Sequence, residues 1–277
     1  MKNISGAEAV IRCLIKENVD VLFGYPGGAI MPVYDELYKF QDKVHHILTR
    51  HEQAATHMAD GFSRASGLPG IILCTSGPAA TNTVTGISTA YADSVPVLIF
   101  TGQVPTPFLG SDAFQEADHI GITRTCTKHN TLVRKTIDLP KAIAEALYIS
   151  NTGRKGPVLV DMPKDVLISE SVFNFPKNVK ISSYEDSVNL KSTEYKNFMN
   201  AFKNSKKPLF ILGRGACSPS SKKYIIKLLK KFKSPALTSI LALGLISESQ
   251  YNCGVLDYSS SKTVSYTHLT LPTIRTV

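Results

Sequence analysis

The sequence predicts an α/β protein whose first half builds a parallel sheet covered on both faces, and three observations carry that prediction. Short runs such as "GIILCTS", "VPVLIFTG" and "GPVLVDMP" are apolar at nearly every position, the mark of strands buried on both sides. Between them lie segments with apolar residues at helical spacing. Gly and Pro clusters separate the two kinds of segment, so strand and helix alternate as in a sheet with helical crossovers.

Taken in order, residues 5–18 open with Ser5 as an N-cap and Glu8 three places on, a capping-box pattern ahead of helical periodicity. "VDVLFG" at 19–24 is a strand that stops at the breaker cluster "YPGGA". A helix is expected at 31–40, a strand near "HHILT", and a helix from Glu52 to Ser66 with Gly67 as its C-terminal stop. Within "RHEQAATHMADGFSRASG", residues 50–67, the expected packed face is Ala54, Ala55, Met58, Ala59 and Phe62. Glu52 stands directly ahead of that face, a position acids normally avoid. The strand "GIILCTS", one helix over "SGPAATNTVTGISTAYAD", the strand "VPVLIFTG", a helix at 139–151 and the strand at 156–163 complete a first domain closing at 165. Residues 166–190 lose periodicity and read as a linker. A second unit over 191–263 repeats the pattern: helix 193–204, strand 207–213, a lysine-rich helix at 221–233 and the strand "PALTSI". It is too short for a complete sheet of this class and reads as an unfinished α/β domain. Residues 264–277 read as a non-native tail, the alternative being a divergent loop and strand.

Composition excludes several classes. The chain has 277 residues and 43% hydrophobic content, enough for real cores, yet no apolar run approaches the roughly 20 residues of a membrane span. "MKNISGAEAV" has neither an apolar signal core nor an Arg- and Ser-rich transit segment, so a cytoplasmic location is expected. The five cysteines are scattered without a CxxC pair or companion His, which predicts reduced thiols and no metal site. The net charge of +9 is uneven: residues 1–165 carry −1 and residues 166–277 carry +10. Much of the excess lies on the helix whose apolar face is Ile225, Leu228, Leu229 and Phe232, where lysines cover the rest. A solvated helix face and a nucleic-acid surface both fit that charge; no aromatic or Arg interleaving accompanies it, and nucleic acid is discounted.

Seven motifs then occur in a familiar order: "VDVLFGYPGGAIMPVYDEL", "RHEQAATHMADGFSRASG", "CTSGPAATN", "ADSVPVLIFTGQVP", "DAFQEAD", "TKHN" and "GRKGPVLVDMPKDV". Together they closely resemble the acetolactate synthase (acetohydroxyacid synthase) large-subunit family of thiamine-diphosphate-dependent enzymes. The resemblance is dense over residues 4–166 and diffuse beyond. It implies a thiamine-diphosphate-binding (pyrimidine) domain followed by an incomplete FAD-binding middle domain. It further implies decarboxylation of pyruvate and condensation with a second pyruvate or 2-ketobutyrate, a step of branched-chain amino-acid synthesis.

What the resemblance implies for single residues can be set beside their bare reading. Glu52 matches the carboxyl that drives the cofactor's aminopyrimidine to its imino form, its alanine and methionine neighbours desolvating it toward the protonated form; bare, it is an acid at a helix N-terminus. Gly28 and Ala29 match a loop at the substrate, and otherwise form a strand-to-helix turn. "SGPAATN" opens a helix whose free N–H groups can meet a ligand, with Ala79 where the family commonly has Gly. Gln115, with Phe114, matches the active-site entrance, and Gln115 and Ser94 match positions in contact distance of the thiamine. Pro105, Lys128 and Lys164 match the substrate channel, where cations suit a 2-ketoacid; bare, the lysines are surface residues. Thr106 and Pro107 stand where many members have a basic pair. Arg154 matches an FAD contact, and Gly213 and Gly215 begin a flavin-binding segment, although Ser218 replaces the third Gly of a dinucleotide fingerprint. Mg2+ would be held by a third domain whose Gly-Asp-Gly signature is absent from this sequence, so the chain alone is expected not to turn over. A homo-oligomer and a small regulatory subunit are the implied partners. Another thiamine-diphosphate carboligase, oxidase or decarboxylase, and a non-catalytic fragment, are the alternatives. A nicotinamide dehydrogenase would require GxGxxG after the first strand, which "GYPGGA" does not supply.

Overall fold

The computed structural model of the chain describes residues 3–181 and 191–256, which fall into two compact units divided after residue 186. The remainder of the expected linker and the expected tail at 264–277 lie outside the described residues.

In the first unit β1 (Asn3–Ser5) leads into α1 (Gly6–Lys16), β2 (Val21–Tyr25), α2 (Met31–Lys39), β3 (His45–Leu48) and α3 (Glu52–Ser66). Then come β4 (Gly70–Cys74), α4 (Pro78–Asn82), α5 (Val84–Ala92), β5 (Val97–Gln103), α6 (His119–Thr123), β6 (His129–Leu132), α7 (Leu139–Asn151), β7 (Val158–Pro163), α8 (Lys164–Ile168) and β8 (Glu170–Val172). The α1 cap forms as expected, with the Glu8 N–H donating to Ser5 Oγ at 3.1 Å. The reciprocal half of the box does not appear among the hydrogen bonds of the described residues; the Glu8 carboxylate instead accepts from Arg12 Nε at 2.7 Å. Gly67 ends α3 in the left-handed conformation, φ 79°, where a residue without Cβ is unstrained.

Six strands make one parallel sheet in the order β3-β2-β4-β5-β7-β6. Alternate strand residues point to opposite faces. Leu22, Leu73, Leu98, Phe100, Val158 and Val160 pack on one side beneath α1, α2, α7 and α8. Phe23, Ile72, Val97, Ile99 and Leu159 pack on the other beneath α3 and α5. Both faces are thus covered, as the apolar runs predict. The chain moves from β2 outward to β3, then back across to β4, so α2 and α3 lie on opposite faces and a crevice opens beyond the carboxyl ends of β2 and β4.

Three expectations change. The single helix over "SGPAATNTVTGISTAYAD" is two helices, α4 and α5, meeting at Thr83. The buried face of α3 is Glu52, Ala55, Thr56, Ala59, Asp60 and Ser63, whereas Ala54 is exposed and Met58 is 49% exposed. Small polar residues allow the close approach there as well as alanines do. The expected linker is ordered at its start: α8 and β8 extend the first unit, β8 pairs antiparallel with β1, and the Gly6 N–H donates to the Ser169 carbonyl at 3.0 Å.

The second unit contains α9 (Thr193–Asn204), β9 (Phe210–Leu212), α10 (Pro219–Phe232), β10 (Ala236–Ser239) and β11 (Asn252–Leu256). Its three strands are parallel in the order β11-β10-β9. Leu212, Leu229, Ala236, Leu245 and Ile246 form its small core. The lysines of α10 lie outside that core, as a solvated face requires.

Two glycines give opposite predictions. A Cβ at Gly70 would lie 2.2 Å from the Ala59 carbonyl oxygen, where α3 meets β4, while nothing lies within 4 Å of one at Gly61 in α3. Gly70→Ala should cost about 2 kcal/mol or more, since backbone must move. Gly61→Ala should stabilise by about 0.5–1 kcal/mol. Chemical denaturation of both variants checks the pair; equal effects would contradict this packing.

Candidate active site

A parallel sheet puts every strand-to-helix loop at one edge and every helix-to-strand loop at the other. The structure sorts the expected site residues by this rule. Gly28, Ala29, Glu52, Pro105, Phe114, Gln115 and Lys164 belong to the carboxyl edge, on the loops after β2, β3, β5 and β7. Ser94, Lys128 and Arg154 precede β5, β6 and β7 and belong to the amino edge.

Glu52 begins α3 at the carboxyl edge and is 7% exposed. Its Oε2 accepts from Asn82 Nδ2 at 2.9 Å, and Oε1 accepts no hydrogen bond among the described residues. The helix carrying it is fixed closely: Thr56 Oγ1 donates to the Glu52 carbonyl at 2.8 Å, and a Cβ at Gly86 of α5 would lie 2.5 Å from Thr56 Cγ2. Cys74 ends β4 nearby, its thiol pushed up by burial first and then by the Glu52 and Asp161 carboxylates. The Tyr34 hydroxyl, also pushed up by burial, donates to the Leu73 carbonyl at 3.1 Å.

The Gly28 loop is built for close approach. Gly27 packs on Thr75, whose Oγ1 accepts from the Ala29 N–H at 3.1 Å. Nothing lies within 4 Å of where a Gly28 Cβ would be. Across the crevice, the Gly77 turn has φ 61°, ψ −120°, a glycine conformation, and a Cβ there would lie 2.5 Å from the Gln115 carbonyl oxygen. The Gly77 N–H, expected to be free for a ligand, donates to His119 Nε2 at 3.1 Å. Gln115 itself has φ 58° and an exposed side chain beside Phe114, which is 88% exposed. Glu116 holds this segment, accepting from the Gly110 and Ala113 N–H groups at 2.5 and 3.0 Å. Those backbone donors pull its carboxyl below the usual range. Asp165, next to Lys164, accepts from Thr106 N and Oγ1 at 2.9 and 2.5 Å and closes the Pro105 loop.

At the amino edge, Arg154 Nε donates to Ser94 Oγ at 2.9 Å, Nη2 donates to the Tyr91 carbonyl at 3.3 Å, and the guanidinium lies 5.6 Å from the centre of the Tyr91 ring. Ser94 is therefore a partner of Arg154 within this chain and stands apart from Gln115. Lys128 Nζ donates to the Ile149 and Thr152 carbonyls at the end of α7. It anchors a helix C-terminus rather than facing the carboxyl edge. Tyr91, Thr127, Lys128, Arg154, Lys155 and Gly156 line a pocket of about 250 Å³. In the second unit Gly213 precedes the turn after β9 and Gly215 lies within it, with no atom within 4 Å of either Cβ position.

The sequence reading missed the polar group beneath the carboxyl edge. Asp161, 1% exposed, accepts from Thr101 Oγ1 at 2.7 Å and Gln103 Nε2 at 3.0 Å, and His119 Nδ1 lies 2.9 Å from its Oδ1. The signal was present: an acid inside the apolar run "VLVDMP" is as unusual as Glu52 before a packed helix. Among the described residues no group of three His, Cys, Asp or Glu could hold a metal, and no helix is long and apolar enough to cross a membrane. All five cysteines are free.

The chain is similar in sequence to known proteins. Residues 4–122 match the thiamine pyrophosphate enzyme N-terminal TPP-binding domain. The chain is 46% identical over 246 residues to the acetolactate synthase large subunit of Buchnera aphidicola subsp. Schizaphis graminum, covering 88% of this chain and 43% of that protein. It is 42% identical over 246 residues to the acetolactate synthase isozyme 3 large subunit of Escherichia coli K12, covering 88% and 43%. It is 42% identical over 267 residues to the probable acetolactate synthase large subunit of Methanocaldococcus jannaschii, covering 95% and 45%. The chain thus spans less than half the length of these relatives. Residues 4–122, which carry Glu52, are thus similar to the thiamine pyrophosphate-binding domain, and over most of its length the chain is similar to part of the acetolactate synthase large subunits.

Proposed function

We propose that this chain is the N-terminal part of an acetolactate synthase large subunit and supplies the pyrimidine side of a thiamine diphosphate site. The observation that carries the reading is Glu52: a buried carboxylate at the carboxyl edge of a parallel sheet, one oxygen held by Asn82 and the other without a hydrogen bond among the described residues. The open space at Gly28 fits a ligand brought against backbone. Thiamine diphosphate, when bound, supplies a nucleophilic thiazolium carbon and an electron sink. Glu52 would hold the proton exchanged with the cofactor's pyrimidine ring, and Asn82, donating to Oε2, would keep the carboxylate aimed. Gly28 and Ala29 border the substrate, Phe114 and Gln115 form the mouth, and Pro105 and Lys164 line the approach of an anionic 2-ketoacid. In this role the whole protein decarboxylates pyruvate and joins the two-carbon unit to a second pyruvate or to 2-ketobutyrate, in the cytoplasm.

Further parts of the proposal rest on the amino edge and on the relatives. The basic pocket at Arg154, lined also by Lys128 and with Arg154 bonded to Ser94, supports FAD as a second ligand; Gly213 and Gly215, in the second unit, are read by resemblance alone as a flavin-binding segment. Mg2+ is expected from residues beyond this chain. A homo-oligomer follows from a site that needs a second contributor, and the "large subunit" in the relatives' names supports a small regulatory partner.

The deciding test is Glu52→Gln in the protein continued to the length of its relatives. Acetolactate formation from pyruvate should fall about 10²–10⁴-fold, the usual worth of acid–base catalysis; unchanged turnover would remove Glu52 from the mechanism. The mouth should also respond to acid. The Glu116 carboxyl is depressed in the folded state, so its contribution to order is present above its unfolded value of 4.5 and is lost as pH falls through the folded value. The Gly110 and Ala113 amide resonances should shift together below pH 4.5, and Glu116→Gln should shift them already at pH 6.

A further inference from the structure

We propose that His119 is a positioning residue for the thiamine diphosphate site: its Nε2 lone pair holds the Gly77 turn, and through α4 the Asn82–Glu52 pair, in the arrangement that receives the cofactor. The inference rests on the reading of Glu52 given above and adds a residue that touches neither cofactor nor substrate.

The geometry is a relay. His119 is 2% exposed and sits at the start of α6, where Asp118 caps the helix by accepting from the Gly121 N–H at 2.8 Å. The Gly77 N–H donates to Nε2, so that nitrogen carries no proton, and the ring's proton is on Nδ1 facing Asp161 Oδ1. Gln103 Nε2 also lies 3.3 Å from Nδ1, but its two protons are directed to Asp161 Oδ2 and the Ala117 carbonyl. The imidazole is therefore fixed in one tautomer by partners on both sides. On its far side Gly77 opens α4, and α4 ends in Asn82, which donates to Glu52.

The turn needs such a hold. Gly77 has φ 61°, ψ −120°, and the segment clamped against it includes two non-glycine residues in the left-handed region, Asp112 at φ 55° and Gln115 at φ 58°. Conformations of this kind persist only where the surroundings over-determine them. Among the described residues, the bond from Gly77 to His119 is the hydrogen bond that joins the turn to the segment leading from Gln115 into α6. Without it the turn spends part of its time in other conformations, and the apparent cofactor affinity falls by the fraction that remains competent. Bound cofactor restores the arrangement, so the loss appears in half-saturation and little in turnover at saturation.

Two substitutions separate this role from a structural one. A Gln amide reaches where Nε2 lies and can accept from Gly77, while an Asn amide reaches only where Nδ1 lies and can serve Asp161 alone. In the protein at its relatives' length, His119→Asn should raise the half-saturating thiamine diphosphate concentration about 10-fold or more, with kcat at saturating cofactor within about twofold, and His119→Gln should restore it. In the 277-residue chain without cofactor, the Gly77 amide proton should move upfield in His119→Asn and stay in place in His119→Gln. Equal impairment of the two variants, or unchanged half-saturation in His119→Asn, overturns the proposal. Nitrogen-15 spectra of the unsubstituted chain need no variant that must fold: protonated Nδ1 with bare Nε2 supports it, and protonated Nε2 overturns it. Glu52→Gln run in parallel tells the two failures apart. If that variant keeps full activity, the reading of the site fails; if it is inactive while His119→Asn behaves as wild type, only the role of His119 fails.

Discussion

The carboxylate of Asp161 constrains the rest of the carboxyl edge. It lies on β7 at 1% exposure, and removing its hydrogen-bond partners would leave a buried polar group unsatisfied at a cost of about 1–3 kcal/mol or more. Its partners come from β5 and α6, so it can be satisfied only if β5 lies in register with β7, Thr101 opposite Asp161. Strand alternation makes the requirement strict. On one face Val97, Ile99 and Leu159 are apolar, and the same face continues upward into Thr101, Gln103 and Asp161. A slip of one residue would turn the acid toward Phe100 and Val160 on the other face. The site residues are thus mounted on a sheet that has one acceptable alignment.

On the same face, α3 is held by contacts at backbone distance: Gly70 against Ala59 and Gly86 against Thr56. A carboxylate that works by position rather than by strength needs such a mount, because an error of an ångström in an acid or base costs orders of magnitude in rate. Glu52 is the first residue of that helix, so its place follows from the packing of the helix as a whole. Asn82 adds the last constraint, on where the carboxylate points.

The elements whose signal is local were legible in the sequence. "GIILC" and "VLVDMP" read as buried strands because both of their faces are apolar, and Ser5 and Gly67 marked helix ends by chemistry within four residues. β6, "HNTL", was missed because an outermost strand carries polar residues and shows no apolar run. The face of α3 was right at Ala55, Ala59 and Phe62 and wrong at Ala54 and Met58, because Thr56, Asp60 and Ser63 are buried there and hydrophobic periodicity does not register small polar residues in a core. Glu52 was found through its neighbours in the chain. His119 was not, because its meaning depends on Gly77 and Asp161, each 42 residues away, which only the folded sheet brings together.

The division between the two edges bears on how the two proposed ligands could act on one chain. β5 runs seven residues, about 23 Å at about 3.3 Å per residue, from the Ser94 and Arg154 edge to the Gln103 and Glu52 edge. Within one chain, Arg154 and Glu52 therefore stand at opposite edges of the sheet. Any influence passes through β5 and β7, which are rigid and packed on both faces. The chemistry of the edges differs accordingly: Arg154, Lys155 and Lys128 gather cations around one pocket, while the other edge buries two acids, Glu52 and Asp161, among Asn82, Thr101, Gln103 and His119. An anion at the amino edge would order the loops ahead of β5, β6 and β7, and so the strands that carry Thr101, Gln103 and Asp161.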